Sequence, residues 1–481
     1  MNHSRLIAVV CGMVAWAVSH RAVADSPSPD VRPPDSRSPN VVLIVADDLC
    51  PGDLAMGSDA PNCAPNLAAF ARQSVCFDRA YSGSPVCAPA RAALLTGRYP
   101  HRTGAVTLNM ERYPALVRLH PREQTIANDF RRGGYHTGMV GKWHLGRTDG
   151  HLPHQRGFDD AAVFRGVDQS YRRYRWSLNG EVGDWQSKYL TVAINDRAVG
   201  FVRRNRDRPF FLHLAHYAPH RPLDAYQKEI EPFLRRGYDA NTATIYAMIK
   251  IMDRGLGRLF DELERLKLER DTIVIFTSDN GPDPIPGPRS NPPHRGTKYT
   301  VNEGGIRVPL MIRRIGHYAP GHRRSPVHFV DMLPTLLDLC RLPKPATSAN
   351  DRSVDDRSVD DGPADDRPPI DGQSFAALLT DGRDDFAQPR FWQWNRVTPD
   401  YAHNAAFGDG RYKLVRPFVT RNHIKDAAGL PPRLYDIIDD PGERHDIASE
   451  HPDRVRQMNA QLERWAVDVE SDRIGREARD D

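Results

Sequence analysis

Asn40-Val-Val-Leu-Ile-Val-Ala46, followed at once by Asp47-Asp48, points to the architecture of the whole chain. It is a short, continuous, β-branched apolar run, the pattern of a strand buried on both faces rather than one. Similar runs recur at Thr137–Val140, Phe210–Leu214, Thr272–Thr277 and Val308–Ile312. Helical stretches lie between them. The clearest covers Thr242–Leu266, where Ile245, Met248, Ile249, Met252, Leu256, Leu259, Phe260 and Leu263 fall at three-and-four spacing. Buried strands alternating with helices predict an α/β fold, with a mostly parallel sheet flanked by helices on both faces.

A chain of 481 residues exceeds what one core usually fills. The sheet and its helices account for residues 40–385, the predicted catalytic domain. Residues 386–481 read as a smaller C-terminal α+β domain: Arg390–Trp394, Ala406–Val415 and Arg433–Ile438 have strand composition, and Pro452–Val469 a closing helix. This part shows no obvious chemistry of its own. Residues 345–370 are rich in Asp, Arg, Pro and Ser, and Asp351–Asp355 is repeated as Asp356–Asp360. With so little apolar content the segment predicts a disordered insertion.

At the N-terminus, Arg5 precedes an apolar run from Leu6 to Val18, and Ala22-Val23-Ala24 supplies a small-x-small cleavage site. That order predicts a signal peptide over residues 1–24, a disordered leader over 25–39, and a periplasmic or secreted product. The apolar run is too short to span a bilayer, and no membrane span is expected elsewhere. The formal net charge of +4 is too weak to argue for nucleic acid. Beyond the predicted signal lie Cys50, Cys63, Cys76, Cys87 and Cys340, an odd number that leaves one thiol unpaired. The other four, Cys87 apart, allow three pairings or none.

The polar residues gather where strands end. Asp47 and Asp48 follow the first, Lys142 and His144 the second, His220 lies just beyond the third, and Asp279-Asn280-Gly281 follow the fourth. Ligands of parallel α/β sheets bind outside the carboxyl ends of the strands. Asp47, Asp48, Asp279 and Asn280 offer only oxygen, which suits a hard cation, and Ca²⁺ over Mg²⁺ because it tolerates irregular, carboxylate-rich coordination. A single Asp-Asp after a strand reads as a turn or cap; two such pairs at equivalent strand ends point to a metal.

Ser84-Pro-Val-Cys87-Ala-Pro89-Ala-Arg91-Ala-Ala-Leu-Leu-Thr-Gly97-Arg98 is the most specific stretch. Pro89 suits a first helical turn and Gly97 a C-terminal stop, so Cys87 falls at a helix N-terminus that favours an anion. On these residues alone Cys87 is either a nucleophile or a packed cysteine.

Cys87-x-Pro89-x-Arg91 followed by Leu94-Leu-Thr-Gly-Arg98 resembles the signature of the type I, formylglycine-dependent sulfatases, the arylsulfatase and iduronate-sulfatase kind. Val45-Ala-Asp-Asp48, Gly141-Lys-Trp-His-Leu-Gly146, Tyr217-Ala-Pro-His220, Thr277-Ser-Asp-Asn-Gly281 and Glu303-Gly-Gly-Ile-Arg-Val-Pro309 are similar to family blocks, in the same order. So are Asp331-Met-Leu-Pro-Thr335, Asp371-Gly372 and Leu434-Tyr-Asp436. The likeness runs over roughly residues 38–470 apart from the insertion.

The resemblance implies an alkaline-phosphatase-like fold and a sulfuric ester hydrolase that cleaves sulfate monoesters. It implies that a formylglycine-generating maturation enzyme oxidises Cys87, whose aldehyde hydrates to a diol. One hydroxyl, held by Ca²⁺ with Asp47, Asp48, Asp279 and Asn280, attacks sulfur, and the other then expels sulfate. Arg91 is similar in position to the arginine that steadies that group. Lys142, Lys298 and His220 match residues that clamp the sulfate or protonate the leaving alcohol, and His144 matches the one that contacts the diol. His213 and His216 lie close to His220 in sequence, so the choice among them rests on the resemblance. Arg98 and Arg307 read as structural partners. The alternatives are a phosphatase or phosphonate hydrolase of the same scaffold, or a catalytically silent protein that binds sulfated glycans. The expected substrate is a sulfated small molecule or carbohydrate. Specificity is expected in the loops 110–122, 159–184 and 282–293, with Arg165, Arg172, Arg173, Arg175 and Arg295 as a candidate basic rim.

Overall fold

The Asn40–Ala46 run is a strand, and all seven of its residues are buried. Its odd-numbered side chains, Val41, Leu43 and Val45, enter the apolar cluster on one face, and Val42, Ile44 and Ala46 the cluster on the other. It pairs in parallel with Phe210–Ala215 on one side and Thr272–Ser278 on the other. The computed structural model that shows this describes residues 38–54, 63–109, 111–164, 170–287, 289, 291–345, 368–418 and 430–480, with side chains as far as Gly475. The predicted signal peptide, nearly all of the leader and residues 346–367 of the predicted insertion lie outside the described residues.

One ten-stranded sheet carries the fold. From edge to edge it runs Gly321–Arg323, Val75–Phe77, Leu310–Arg313, Thr272–Ser278, Asn40–Ala46, Phe210–Ala215, His136–Gly141, Asp160–Phe164, Tyr174–Leu178 and Glu181–Gln186. The four central strands that deliver the polar residues are neighbours and mutually parallel. The helix predicted at 242–266 spans Ala240–Arg265, and the Asp239 carboxylate caps it by accepting from the backbone N–H of Asn241 and Thr242. This is the mostly parallel, helix-flanked architecture expected, with a small antiparallel C-terminal sheet.

Three segments differ from the sequence reading. Val308–Ile312 is not one strand. Pro309, which has no N–H to give a ladder, divides it into Arg307–Val308 in a separate three-stranded sheet and Leu310–Arg313, antiparallel to Thr272–Ser278. Ala406–Val415 is a hairpin of Ala405–Gly408 and Tyr412–Arg416, turned at Gly410 with φ +101°. The stretch 159–184, expected as a loop, supplies three strands that extend the sheet to its edge.

Ser38–Asp481 forms one compact unit. The C-terminal sheet, Arg390–Gln393, Ala405–Gly408, Tyr412–Arg416 and Arg433–Asp436, is antiparallel throughout. Trp392 packs with Tyr81, Val301 and Ile306 of the larger part, and its indole N–H donates to the Ser82 carbonyl at 2.8 Å. The closing helix, Pro452–Asp480, sends Met458, Leu462, Trp465 and Val469 into the main core. Arg98 is a structural partner here: it pairs with Glu123 at 2.5 Å and with Asp472 of that helix at 2.7 Å. Arg307 likewise pairs with Glu303 at 3.2 Å and donates to the Asp78 carbonyl. The five described cysteines are all buried and no disulfide joins them, so none of the three pairings is present.

Candidate active site

The Cys87–Thr96 helix is buried along its whole length and ends at Gly97, whose φ of +69° provides the left-handed cap. Cys87 is its first residue, and the thiol lies 3.6 Å from Asp47 Oδ1. Burial pushes that thiol up to about 12, although Lys142 and Lys298 pull the other way, so the unmodified side chain is neutral at pH 7. One turn on, Arg91 is fully buried and has a fixed set of partners. Its Nε and Nη2 reach Asp279 Oδ2 at 2.9 and 2.7 Å, Nη2 lies 3.6 Å from Asp47, and Nη1 donates to the Lys142 carbonyl at 3.1 Å.

The strand ends deliver the rest. Lys142 Nζ pairs with Asp47 Oδ2. Lys298 Nζ straddles the Asp48 carboxylate, 2.7 Å from Oδ1 and 2.8 Å from Oδ2. Burial alone would neutralise both lysines, but Asp47 and Asp48 outweigh it and hold both ammoniums charged. Burial likewise opposes ionisation of Asp48, yet the charged Lys298 and Lys142 hold it below the usual carboxylate range. Asn280 donates to Asp48 Oδ1 at 2.6 Å, and its own buried Oδ1 has no partner among the described residues. Asp48 and His144 both adopt left-handed backbone, φ +62° and +60°, conformations that cluster at functional sites.

The histidines sort themselves by their hydrogen bonds. His220 Nδ1 lies 2.5 Å from the Arg221 carbonyl, which cannot donate, so Nδ1 carries the proton and Nε2 turns a lone pair toward Asp48, 3.7 Å away. Burial and then Lys298 push His220 down to about 3. His144 Nε2 donates to the Leu108 carbonyl at 2.9 Å, and its buried Nδ1 has no partner among the described residues. His216, fully buried, bonds through neither ring nitrogen, and His213 sits within the strand rather than at its end.

One ligand atom from each of Asp47, Asp48, Cys87 and His220 lies within 4.8 Å of every other. Acceptor atoms crowded in this way, with the orphaned Asn280 oxygen beside Asp48, suit a cation. The grouping differs in part from the expected ligand set: His220 joins it, whereas Asp279 turns its Oδ2 to Arg91 and accepts from the Asp48 N–H through Oδ1 at 3.2 Å. Two supporting residues had escaped sequence reading. Arg289 donates to the Asp48 carbonyl and pairs with buried Asp53 at 3.3 Å, fixing the loop that carries Asp48. Nothing in the surrounding Pro-rich stretch marks Arg289 out.

The expected basic rim is already committed elsewhere. Arg172 pairs with Asp224 at 2.9 Å, Arg173 and Arg175 lie over Trp185, and Arg295 donates to the Glu443 carbonyl at 3.2 Å. Arg165 lies outside the described residues. The space beside Lys298 is walled instead by Tyr299 and by the C-terminal residues Trp394, Arg396 and His403. That region was expected to carry no chemistry.

The chain is similar to known proteins in both sequence and fold. The sequence profile of the sulfatase family matches residues 39–342. N-acetylgalactosamine-6-sulfatase of Homo sapiens is 29% identical over 85% of this chain and 81% of its own. N-acetylgalactosamine-6-O-sulfatase of Bacteroides thetaiotaomicron is 26% identical over 89% and 93%. The crystal structure of Ps i-CgsB in complex with k-i-k-neocarrahexaose superposes with a TM-score of 0.74 at 26% identity, covering 89% of this chain and 93% of that one.

Proposed function

This chain belongs to the sulfatase family, and from that premise we propose that it cleaves sulfate monoesters of carbohydrates at Cys87, oxidised to formylglycine, with Ca²⁺ held beside it. The carrying observation is the convergence of Cys87, two charged lysines and three carboxylates at the ends of four adjacent strands. A neutral, buried thiol is a poor nucleophile, and oxidation to the aldehyde with its hydrate gives residue 87 two hydroxyls in its place. Asp47, Asp48 and Asn280, with Asp279 behind them, would hold the cation, which would supply positive charge and acidify a hydroxyl.

The chain's own residues do the remaining work. Lys142 and Lys298 are fixed cations in a buried site, and they stabilise charge that grows on the sulfate and leaving oxygens. Arg91 pairs with Asp279 and Asp47 and keeps them in register with the helix that carries residue 87. His220 Nε2 faces the cluster, and once that nitrogen is protonated His220 is the group placed to pass a proton to the leaving alcohol. His144 Nδ1, with a free lone pair, is placed to take a proton from residue 87. No described helix is long and apolar enough to cross a membrane. With the N-terminal signal pattern, this supports a periplasmic or secreted enzyme matured by a formylglycine-generating partner.

The test is mass spectrometry of the Cys87 peptide after expression with such a partner, alongside turnover of a sulfated sugar with Ca²⁺. Loss of H₂S and gain of O at Cys87, together with turnover that vanishes in Cys87→Ala, is the expected result. Substantial turnover by Cys87→Ala would refute the reading. Tight binding of sulfated sugar without turnover by oxidised protein would instead favour a glycan-binding role.

A further inference from the structure

A cavity of about 550 Å³ opens beside Lys298, within the range of roughly 300–1,000 Å³ usual for small-molecule sites. One wall is aromatic. Tyr299 and Trp394 meet with ring centroids 5.6 Å apart, tilted by 40°. Tyr299 is held there on a left-handed backbone, φ +82°, by two bonds: its N–H donates to the Pro85 carbonyl at 3.0 Å and its carbonyl accepts from Asn404 at 2.8 Å. A side chain kept in such a conformation by the segments around it points to a built surface rather than a slack loop.

The mouth is cationic. Arg112 and Arg396 both line the cavity and are exposed, and among the described residues neither guanidinium has an ion-pair partner. The backbone of Arg396 is anchored all the same, since its carbonyl accepts from Thr107 at 2.7 Å. The one acidic side chain in the lining, Asp400, is turned to His403, 3.4 Å away. Two guanidiniums, that of Arg112 lying over the Tyr113 ring, therefore share this lining with the aromatic pair and with Lys298.

We propose that this cavity receives the sugar next to the scissile sulfate, packed against Tyr299 with the buried Trp394 behind it, and that Arg112 and Arg396 recognise a second acidic group on the substrate. The inference rests on the sulfatase reading and narrows it from sulfated carbohydrates in general to polyanionic saccharides. Guanidinium pairs a carboxylate or a sulfate oxygen equally well, so the second group is either a uronate carboxylate or another sulfate ester.

The experiment uses the full-length, matured protein and four esters. These are 4-nitrophenyl sulfate, a sulfated disaccharide with a neighbouring hexuronate, the same compound with its carboxyl reduced to the alcohol, and a disulfated disaccharide without uronate. The quantity read is kcat/KM for each disaccharide divided by that for the aryl sulfate. In Arg396→Gln and Arg112→Gln this ratio falls about 10–100-fold for an acidic disaccharide, the worth of a hydrogen bond to a charged group, and the fall is in KM. A fall confined to the uronate compound identifies the carboxylate, and one confined to the disulfated compound identifies the second sulfate. A ratio unchanged for both, or an equal fall for the reduced compound, overturns the proposal. If the wild type turns over none of the four, the sulfatase reading fails. Calorimetric titration of the uronate and reduced disaccharides then still decides the cavity. Tighter binding of the uronate that is lost in Arg396→Gln supports the proposal, and equal binding of both overturns it.

Discussion

Lys298→Met separates the two things a buried cation can do. In the wild type its ammonium is 3% exposed and bridges both oxygens of Asp48, which is itself 1% exposed. Deleting one partner of a buried pair leaves the other charge uncompensated, which costs about 3–5 kcal/mol. Asn280 still donates to Asp48 at 2.6 Å, so the low end of that range applies. The loss should appear in urea unfolding with chelator present. Saturating Ca²⁺ should shrink it, because the bound ion neutralises the same carboxylate. The catalytic loss should not recover. A fixed donor aimed at the developing charge is worth on the order of 10²–10³ in kcat, and Ca²⁺ at Asp48 does not replace a contact to the sulfate. The assay is therefore kcat at saturating substrate and Ca²⁺, beside unfolding free energy with and without the ion. A near-normal kcat in Lys298→Met, or a kcat that recovers together with stability, would refute the sulfate-clamp argument.

Three further outcomes follow from the same geometry. Asp47→Asn and Asp279→Asn should each weaken Ca²⁺ binding by tenfold or more in direct titration, with Asp47→Asn the worse of the two because its oxygens face Cys87. Equal affinity to wild type in both would remove the ion from this site. His213 and His216 are pushed down to about 3 by burial, from an ordinary value of 6.5. Groups with depressed folded values stabilise the fold fully above 6.5 and progressively less as pH falls toward 3. Urea midpoints should thus decline as pH drops through that window, and His216→Leu should flatten the decline. Gly141 has φ +111°, and a Cβ there would lie 1.8 Å from the Ala215 carbonyl oxygen. Gly141→Ala should therefore destabilise by more than the ~0.5–3 kcal/mol of an ordinary substitution, measured by chemical denaturation.

The strands that carry the site were legible because each is buried on both faces and so reads as unbroken apolar sequence. The polar residues just past their ends could then be placed at one edge without any coordinates. The antiparallel edge was not legible. Glu181–Gln186 is largely exposed, so no apolar run marks it, and its ladder exists only because Tyr174–Leu178 folds back beside it. Pro309 divides a run that hydropathy alone leaves whole. The cavity was invisible for another reason: Lys298 and Trp394 are brought together by Asn404, which bridges the Tyr299 and Trp394 carbonyls, and no spacing rule spans that separation. The set of residues facing Cys87 was readable from order and type. Which of them would turn to Arg91 and which to Lys142 or Lys298 was not, because that depends on side-chain reach.

The position of Asn40–Ala46 in the sheet also bears on how the protein is made. It is the first strand of the described chain to be synthesised and one of the two inner strands of the four that carry polar residues, paired with Phe210–Ala215 and Thr272–Ser278. Its first partner is translated some 160 residues later and its second some 60 after that. At about 5–20 residues per second, the ribosome leaves this fully apolar ribbon with both edges unsatisfied for on the order of ten seconds or longer. Non-local parallel pairing is slow even once all the parts exist. A nascent chain arrested before Phe210 therefore carries its stickiest segment with nothing to cover it. Yield in a heterologous host should depend more on holding that intermediate apart from its neighbours than on the stability of the finished fold.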